Sequence, residues 1–238
     1  MSALGRVPHV IVADVVTPEL TDDDRHHLTR SLRLRDGDEL TVTDGRGRWR
    51  ACRLGASLDP MSEVASVDRP APALTVAIAR TKGDRPELAV QKLTELGIDR
   101  IVVFSAERSV ARPSADRLPR QMDRLRRVAR EALMQSRGIH LPDVEIAPSF
   151  SVVAAFDGAA MADRDGEPLT LQHRVVLVGP EGGWSDDERG SLQRVALAEH
   201  VLRAETAAVA AGVLLSALRI GLAKPAGQGP SRDVLDRE

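Results

Sequence analysis

The sequence predicts an α/β protein in two parts. Residues 1–70 form a small, strand-rich, β-barrel-like module, and residues 73–225 form a larger domain with a parallel sheet. Three observations predict this. Short β-branched runs separated by Asp-Gly turns fill the first 68 residues. Arg69-Pro70-Ala71-Pro72 makes a stiff boundary, because each proline fixes φ and removes a donor. From residue 73 apolar strands alternate with helical patterns, which predicts a parallel sheet covered by helices.

Taken in order, Val10-Ile11-Val12 is the first expected strand and Asp23–Leu32 fits one short helix. Leu40-Thr41-Val42-Thr43 follows the turn Asp36-Gly37-Asp38, and Asp44-Gly45 signals a hairpin into Trp49–Cys52. In the second part, Leu74–Ala79 reads as a buried strand and Glu87–Leu96 as a helix closed by Gly97. Ile101–Phe104 is the next strand, followed by an arginine-rich helix over Leu118–Gln135 and a weak αβ stretch. Val175–Val178 is a strand, Ser185–Ala198 a helix, His200-Val201-Leu202 a short strand and Thr206–Leu222 an apolar helix. Residues 226–238 are rich in glycine, proline and charge and are expected to be disordered.

Composition narrows the class. The 238 residues are 42% hydrophobic and 29% charged, and no run of about 18 apolar residues predicts a membrane span. The N-terminal sequence lacks the basic, apolar and small-residue succession of a secretory signal, so the expected compartment is the cytoplasm. Cys52 is the single cysteine, which excludes an internal disulfide or a cysteine metal cluster. His26 and His27 have no acidic or cysteine partner at ligand spacing, so no metal is expected.

Net charge is −2, yet arginine is concentrated. Residues 106–140 carry nine arginines against four acids, and residues 30–53 carry seven against four. Guanidinium forks suit phosphate, so both stretches are candidate nucleic-acid contacts, with solvated helix faces as the plain alternative. Only five aromatics are present and none is tyrosine, which argues against a base-stacking platform.

The chemistry concentrates at strand exits. Val178-Gly-Pro-Glu-Gly-Gly-Trp-Ser-Asp-Asp-Glu places three glycines and a proline between a strand and a capping box, Ser185 to Glu188. An ordinary turn needs one glycine at most. Three suggest positive φ or close approach of a ligand at the carboxyl edge of the sheet, where open α/β folds bind ligands. The loop is neither a Walker A loop nor a Rossmann fingerprint. Leu202-Arg203-Ala204-Glu205-Thr206-Ala207 forms a second polar junction. Either Glu205 and Thr206 cap a helix while Arg203 pairs with an acid, or Arg203 and Glu205 serve a site.

These segments, in order, resemble one family. HHLTRSLRLRDGDEL with DGRG, KGDRPELAVQKLTELGID, ERSVAR, EALMQS, VGPEGGWSDDE and LRAETA are similar to bacterial small-subunit (16S) ribosomal RNA uridine-N3 methyltransferases of the SPOUT superfamily, over most of residues 6–215. The resemblance implies a PUA-like RNA-binding module, a SPOUT domain with a deep trefoil knot, and a homodimer. The small-residue run Ala207–Gly212 would allow close packing of the two knots. It implies S-adenosylmethionine as cofactor and 16S ribosomal RNA in the assembled small subunit as substrate. One implied pocket wall is Val178, Gly179, Pro180, Glu181, Gly182 and Gly183; the other is Leu197, Val201, Leu202, Arg203, Thr206 and Ala207. Arg203 and Glu205 become the candidate catalytic pair, and Arg6, Arg33, Arg35, Lys82, Arg108, Arg124 and Arg127 the candidate RNA contacts. The chain departs from the family pattern at Ala198, His200 and Gly138. Two other readings stay open: a relative acting on tRNA ribose, and a non-catalytic RNA-binding assembly protein.

Overall fold

The structure is a computed structural model that describes residues 7–81, 85–109 and 117–224. The chain divides into two units. The first holds the described residues through Arg69 together with Arg127–Leu141; the second holds Pro70–Arg126 and the described residues from Pro142 onward.

In the first unit, β1 (His9–Ile11) pairs in parallel with β2 (Glu39–Thr43), and β2 turns into β3 (Arg48–Arg53) as an antiparallel hairpin. Asp44 makes the turn: its Oδ1 accepts the N–H groups of Arg46 and Arg48 at 2.7 and 3.2 Å, while Gly45 and Gly47 take φ of +71° and +98°. β4 (Asp59–Pro60) and β5 (Ala65–Ser66) add to β3, giving a five-stranded sheet. Val10, Val12, Leu28, Leu40, Val42, Cys52 and Leu54 form its core. α1 (Asp22–His26) is capped by Thr21, whose hydroxyl accepts the Asp24 N–H, and continues as a π-helical turn over His27–Ser31. The helix expected over Asp23–Leu32 is therefore present but widened in its second half.

The segment 127–141 was not expected in this unit. It is stitched in by polar bonds between residues distant in sequence. Arg130 donates to Ile11 O at 2.6 Å and to Asp24 Oδ2 at 3.1 Å, Arg137 Nε donates to Val7 O at 3.1 Å, and Gly47 N donates to Ile139 O at 2.8 Å. Two of the nine clustered arginines thus serve the fold.

His9 is the buried polar link of the same group. Its Nε2 donates to Gly138 O at 2.9 Å, which leaves Nδ1 to accept the Thr41 hydroxyl at 2.7 Å. Burial holds its pKa below the usual 6.5, and Arg137 pushes the same way. A lowered histidine pKa means the unfolded chain binds the extra proton first as pH falls. His9 therefore contributes stability that is present above about pH 6.5 and lost below it. The melting-temperature gap between wild type and His9→Gln should narrow from pH 7.5 to pH 5. A gap independent of pH would count against this role.

In the second unit, Thr75-Val-Ala-Ile-Ala, Arg100-Ile-Val-Val-Phe and Val175-Val-Leu-Val become β6 (Thr75–Ala79), β7 (Arg100–Phe104) and β10 (Val175–Val178). Near-continuous apolar runs suit strands buried on both faces. With β8 (Asp143–Ala147), β9 (Ala159–Pro168) and β11 (Gln193–Ala196) they form a six-stranded parallel sheet, ordered β11-β9-β10-β6-β7-β8. α2 (Arg85–Glu95) ends at Gly97, whose φ is +72°. α6 (Ala204–Arg219) packs on α2 at Gly212, where an added Cβ would lie 2.6 Å from Leu93 Cδ2. Part of the small-residue run Ala207–Gly212 is therefore used within the unit. Arg219 at the end of α6 ion-pairs with the buried Asp99, and its NH2 donates to Gly97 O at 2.6 Å. α4 (Phe150–Ala154) precedes β9, and α3 (Leu118–Ser136) is shared: Leu118–Arg126 belongs to this unit and its remainder to the first. No helix among the described residues is long and apolar enough to cross a membrane.

Two sequence expectations fail here. The helix over Ser185–Ala198 is only one turn, α5 (Asp186–Arg189), and the strand lies at Gln193–Ala196 rather than at His200-Val201-Leu202. Leu192, Val195 and Ala196 have helical spacing, but the segment pairs with β9 instead. Gly166 permits that pairing: a Cβ there would lie 2.5 Å from Val195 N. Residues 201–203 are irregular and lead directly into α6. The expected tail, 226–238, lies outside the described residues.

Candidate functional site

β10 ends at Val178, and the next seven residues are each held by a specific constraint. An added Cβ on Gly179 would sit 2.8 Å from Cε2 of Trp184, so the strand exit has to be bare for the indole to tuck under it. Trp184 stacks on Phe104 at 6.3 Å between centroids, meets Phe150 edge-on at 5.7 Å, and donates from Nε1 to Ala162 O at 3.1 Å. Gly183 N donates to Pro180 O at 2.9 Å, closing a turn in which Gly183 takes φ of +71°. Gly182 is different: its φ is not positive, and an added Cβ would lie 3.3 Å from Arg108 Cβ and O. The three glycines thus answer to an indole, a neighbouring loop and a left-handed backbone.

The capping box read from the sequence is formed. Ser185 Oγ accepts the Glu188 N–H at 3.3 Å, and Glu188 Oε2 accepts the Ser185 N–H at 3.1 Å. The other oxygen of Glu188 accepts the Glu107 N–H at 2.9 Å, tying the exit of β7 to this loop. Glu181 ion-pairs with Arg85, the first residue of α2.

The second junction lies at the start of α6. Arg203 is the N-cap residue, but its side chain makes no cap bond; it is exposed and forms no ion pair among the described residues. The structural alternative for this arginine is not what the fold uses. Glu205 Oε2 lies 3.8 Å from Arg85 Nε and has no hydrogen-bond partner among the described residues. Arg85 therefore faces a carboxylate from each junction.

Between the two junctions lies a cleft of about 530 Å³. That is within the range of small-molecule sites. Val178, Gly179, Pro180, Glu181 and Gly183 line it from one side, and Leu197, Val201, Leu202, Arg203 and Ala207 from the other. Gly182, Glu205 and Thr206 are not among its lining residues. The middle of β9, Ala162–Asp165, supplies a wall that sequence reasoning missed, together with Trp184, Arg189 and Ala204. Ala198 and His200, two of the three departures from the family pattern, also line the cleft. No group of three His, Cys, Asp or Glu side chains fit for a metal occurs among the described residues.

The candidate RNA contacts separate. Arg33, Arg35, Arg108, Arg124 and Arg127 are exposed, while Arg6 and Lys82 lie outside the described residues. Arg124 pairs with Glu87 at 3.1 Å. Arg33 has φ of +59°, a left-handed conformation rare outside glycine, and its side chain has no hydrogen bond or ion pair among the described residues.

Comparison with known proteins bears on both units. Residues 69–216 match the model of an RNA methyltransferase domain, and residues 20–57 match that of an RNA methyltransferase PUA domain. The chain is 33% identical to the ribosomal RNA small subunit methyltransferase E of Synechocystis, over 89% of this chain and 76% of that one. A probable rRNA-methyltransferase from Porphyromonas gingivalis is similar in structure, with a TM-score of 0.75 and 28% identity, over 91% of this chain and all of that one. A ribosomal RNA small subunit methyltransferase E from Neisseria gonorrhoeae, solved bound to S-adenosyl methionine, shares the fold at a TM-score of 0.75 and 23% identity, over 90% of this chain and 98% of that one.

Proposed function

The chain belongs to the RNA methyltransferase family of ribosomal RNA small subunit methyltransferase E, and from that premise we propose that it methylates N3 of a uridine in 16S ribosomal RNA. The product is 3-methyluridine, and the methyl donor is S-adenosylmethionine. The observation that carries this reading is the cleft at the carboxyl edge of the parallel sheet, lined by the glycine loop on one side and the Arg203 junction on the other. Its lining fits a nucleoside-like ligand, combining small apolar residues and bare backbone with a few charged side chains.

Bound there, S-adenosylmethionine supplies a methyl group already activated on a sulfonium, whose C–S electron pair stays on sulfur. The chain's own residues do the rest. Uracil N3 carries a proton at neutral pH, with a pKa about two units higher, so forming the anion costs about 3 kcal/mol. Arg203, at the rim of the cleft and without an ion pair among the described residues, donates to O2 or O4 as negative charge develops. Glu205, beside Arg203 on α6 but outside the cleft lining, is the candidate acceptor of the N3 proton, and its Oε2 has no hydrogen-bond partner among the described residues. The walls orient the reacting atoms, and positioning supplies much of the remaining rate.

The assembly follows the same reading. We assign the first unit to RNA binding, with barrel closure, and the second to a knotted methyltransferase domain that pairs as a homodimer. Two features support the second assignment. β10 inserts between β9 and the earlier strand β6, and α6 exposes Val213 and, just beyond its end, Ile220 and Leu222.

Methyl transfer from labelled S-adenosylmethionine to unmodified small subunits, followed by nucleoside analysis, tests the function. Label in 3-methyluridine is expected. Label in tRNA ribose, or none in either RNA, would replace this reading. Reversing the charge of Arg33 and Arg35, or of Arg127, should weaken RNA binding and flatten its salt dependence by about 0.7–0.9 for each phosphate no longer neutralised. Cofactor affinity should not change. An unaltered salt slope would make these arginines solvated surface only.

A further inference from the structure

Asp163 stands on the β9 wall of the cleft, and its side chain is only 4% exposed. Oδ1 accepts the backbone N–H of Asp165 at 3.1 Å. Oδ2 is buried without a hydrogen-bond partner among the described residues. Arg189 NH2 lies 3.0 Å from that oxygen, close enough for attraction but off the hydrogen-bonding direction, and half of the Arg189 side chain is exposed. A buried carboxylate with an unused oxygen is unfavourable unless something else satisfies it. The backbone nevertheless holds both groups in place. Trp184 is bonded to Ala162, directly before Asp163, and Arg189 is the last residue of the helix fixed by the Ser185–Glu188 capping box.

The result is an anion and a cation side by side on one wall of the cleft, neither fully used. A ligand presenting an ammonium and a carboxylate on one carbon is complementary to both. We infer that Asp163 and Arg189 form the subsite for the amino-acid head group of the cofactor, with Asp163 Oδ2 accepting from its ammonium and Arg189 donating to its carboxylate. The inference rests on the reading of the cleft as the S-adenosylmethionine site, and it gives the cleft a direction. The zwitterionic end belongs at β9 and α5, which leaves the nucleoside end to the loop formed by residues 197–202.

The test compares two ligands by calorimetry: S-adenosylhomocysteine, and 5′-methylthioadenosine, which lacks the head group. Wild type should prefer S-adenosylhomocysteine. Asp163→Asn and Arg189→Gln should each lose affinity for it by roughly tenfold to a hundredfold, the loss expected for a charge-assisted hydrogen bond. Their affinity for 5′-methylthioadenosine should stay within about twofold, which also shows that the variants are folded. If the ratio between the two ligands stays at its wild-type value in both variants, the subsite is wrong and the pair is only structural. If both ligands weaken together with a lower melting temperature, the pair is again only structural. Wild type that binds neither ligand would overturn the cleft reading itself, a result distinguishable from the other two.

Discussion

Gly179→Val is expected to abolish S-adenosylmethionine binding and to lower the melting temperature of the protein together with it. The cause is the indole behind the loop. A Cβ at residue 179 would lie 2.8 Å from Cε2 and 3.2 Å from two further ring atoms of Trp184. The ring has little room to retreat. It is 5% exposed, stacked on Phe104, met edge-on by Phe150 and bonded through Nε1 to Ala162. Valine adds two methyl groups beyond that Cβ. Either the indole leaves its seat or the loop is pushed toward the cleft, and overpacking of this kind costs about 1–3 kcal/mol. The loop residues that line the cleft move in both cases.

Gly183→Ala is the matched control. Residue 183 has no described atom within 4 Å of its Cβ position but a φ of +71°, so alanine should cost about 1–2 kcal/mol of backbone strain without displacing Trp184. Gly179→Val should therefore be the more damaging change for cofactor binding, although Gly183 is the one with the unusual backbone. A second variant separates steric conflict from general damage. In Gly179→Val/Trp184→Ala the conflict is gone, so the double variant should lose less stability than the two single losses summed. Calorimetry and thermal melting read both effects. A Gly179→Val protein with wild-type affinity and melting temperature would show that the indole is not what requires glycine here.

How much of this was legible in the sequence depends on which interactions decide each element. β6, β7 and β10 were legible because strands buried on both faces have to be apolar throughout, and Val175–Val178 is fully buried. The one-turn α5 and strand β11 were not. Leu192, Val195 and Ala196 carry helical spacing, and only the pairing with β9, made possible by Gly166, turns them into a strand. Residues 127–141 were missed for a related reason, since bonds such as His9–Gly138 join segments that no local pattern connects. At the site, the glycine loop and Arg203 were visible as an unusual concentration of residue types. Asp163-Arg164-Asp165 was not, because alternating charges look like a solvated turn, although they lie in the middle of β9. Their number flagged the glycines, but the reason for each is tertiary: an indole at Gly179, Arg108 at Gly182, and a left-handed φ only at Gly183.

Arg203→Ala should lower the methyl-transfer rate by about 10²–10³-fold while largely preserving cofactor affinity, the loss typical of removing one donor to developing negative charge. Arg203 is free to act this way because the fold makes no other use of its guanidinium among the described residues: it caps nothing and pairs with nothing. An interaction formed only in the transition state lowers kcat and kcat/KM together. Arg203→Lys should restore little, since an ammonium cannot reproduce the planar fork. Glu205 is tested on the same footing. Its Oε2 has no hydrogen-bond partner among the described residues, and Arg85 Nε stands 3.8 Å away. Glu205→Gln keeps the shape and removes the proton acceptor, so the defect should be large at neutral pH and recover as pH rises toward the pKa of uracil N3. The paired change Arg85→Ala should leave that pH profile in place if Glu205 itself takes the proton. The measurement is single-turnover transfer across pH with saturating RNA and cofactor. A normal Glu205→Gln rate at neutral pH would assign the proton to water or an RNA phosphate, in keeping with the position of Glu205 outside the cleft lining. An Arg203→Ala defect confined to RNA affinity would make Arg203 a phosphate anchor, and the charge on uracil would then need another donor from the same rim.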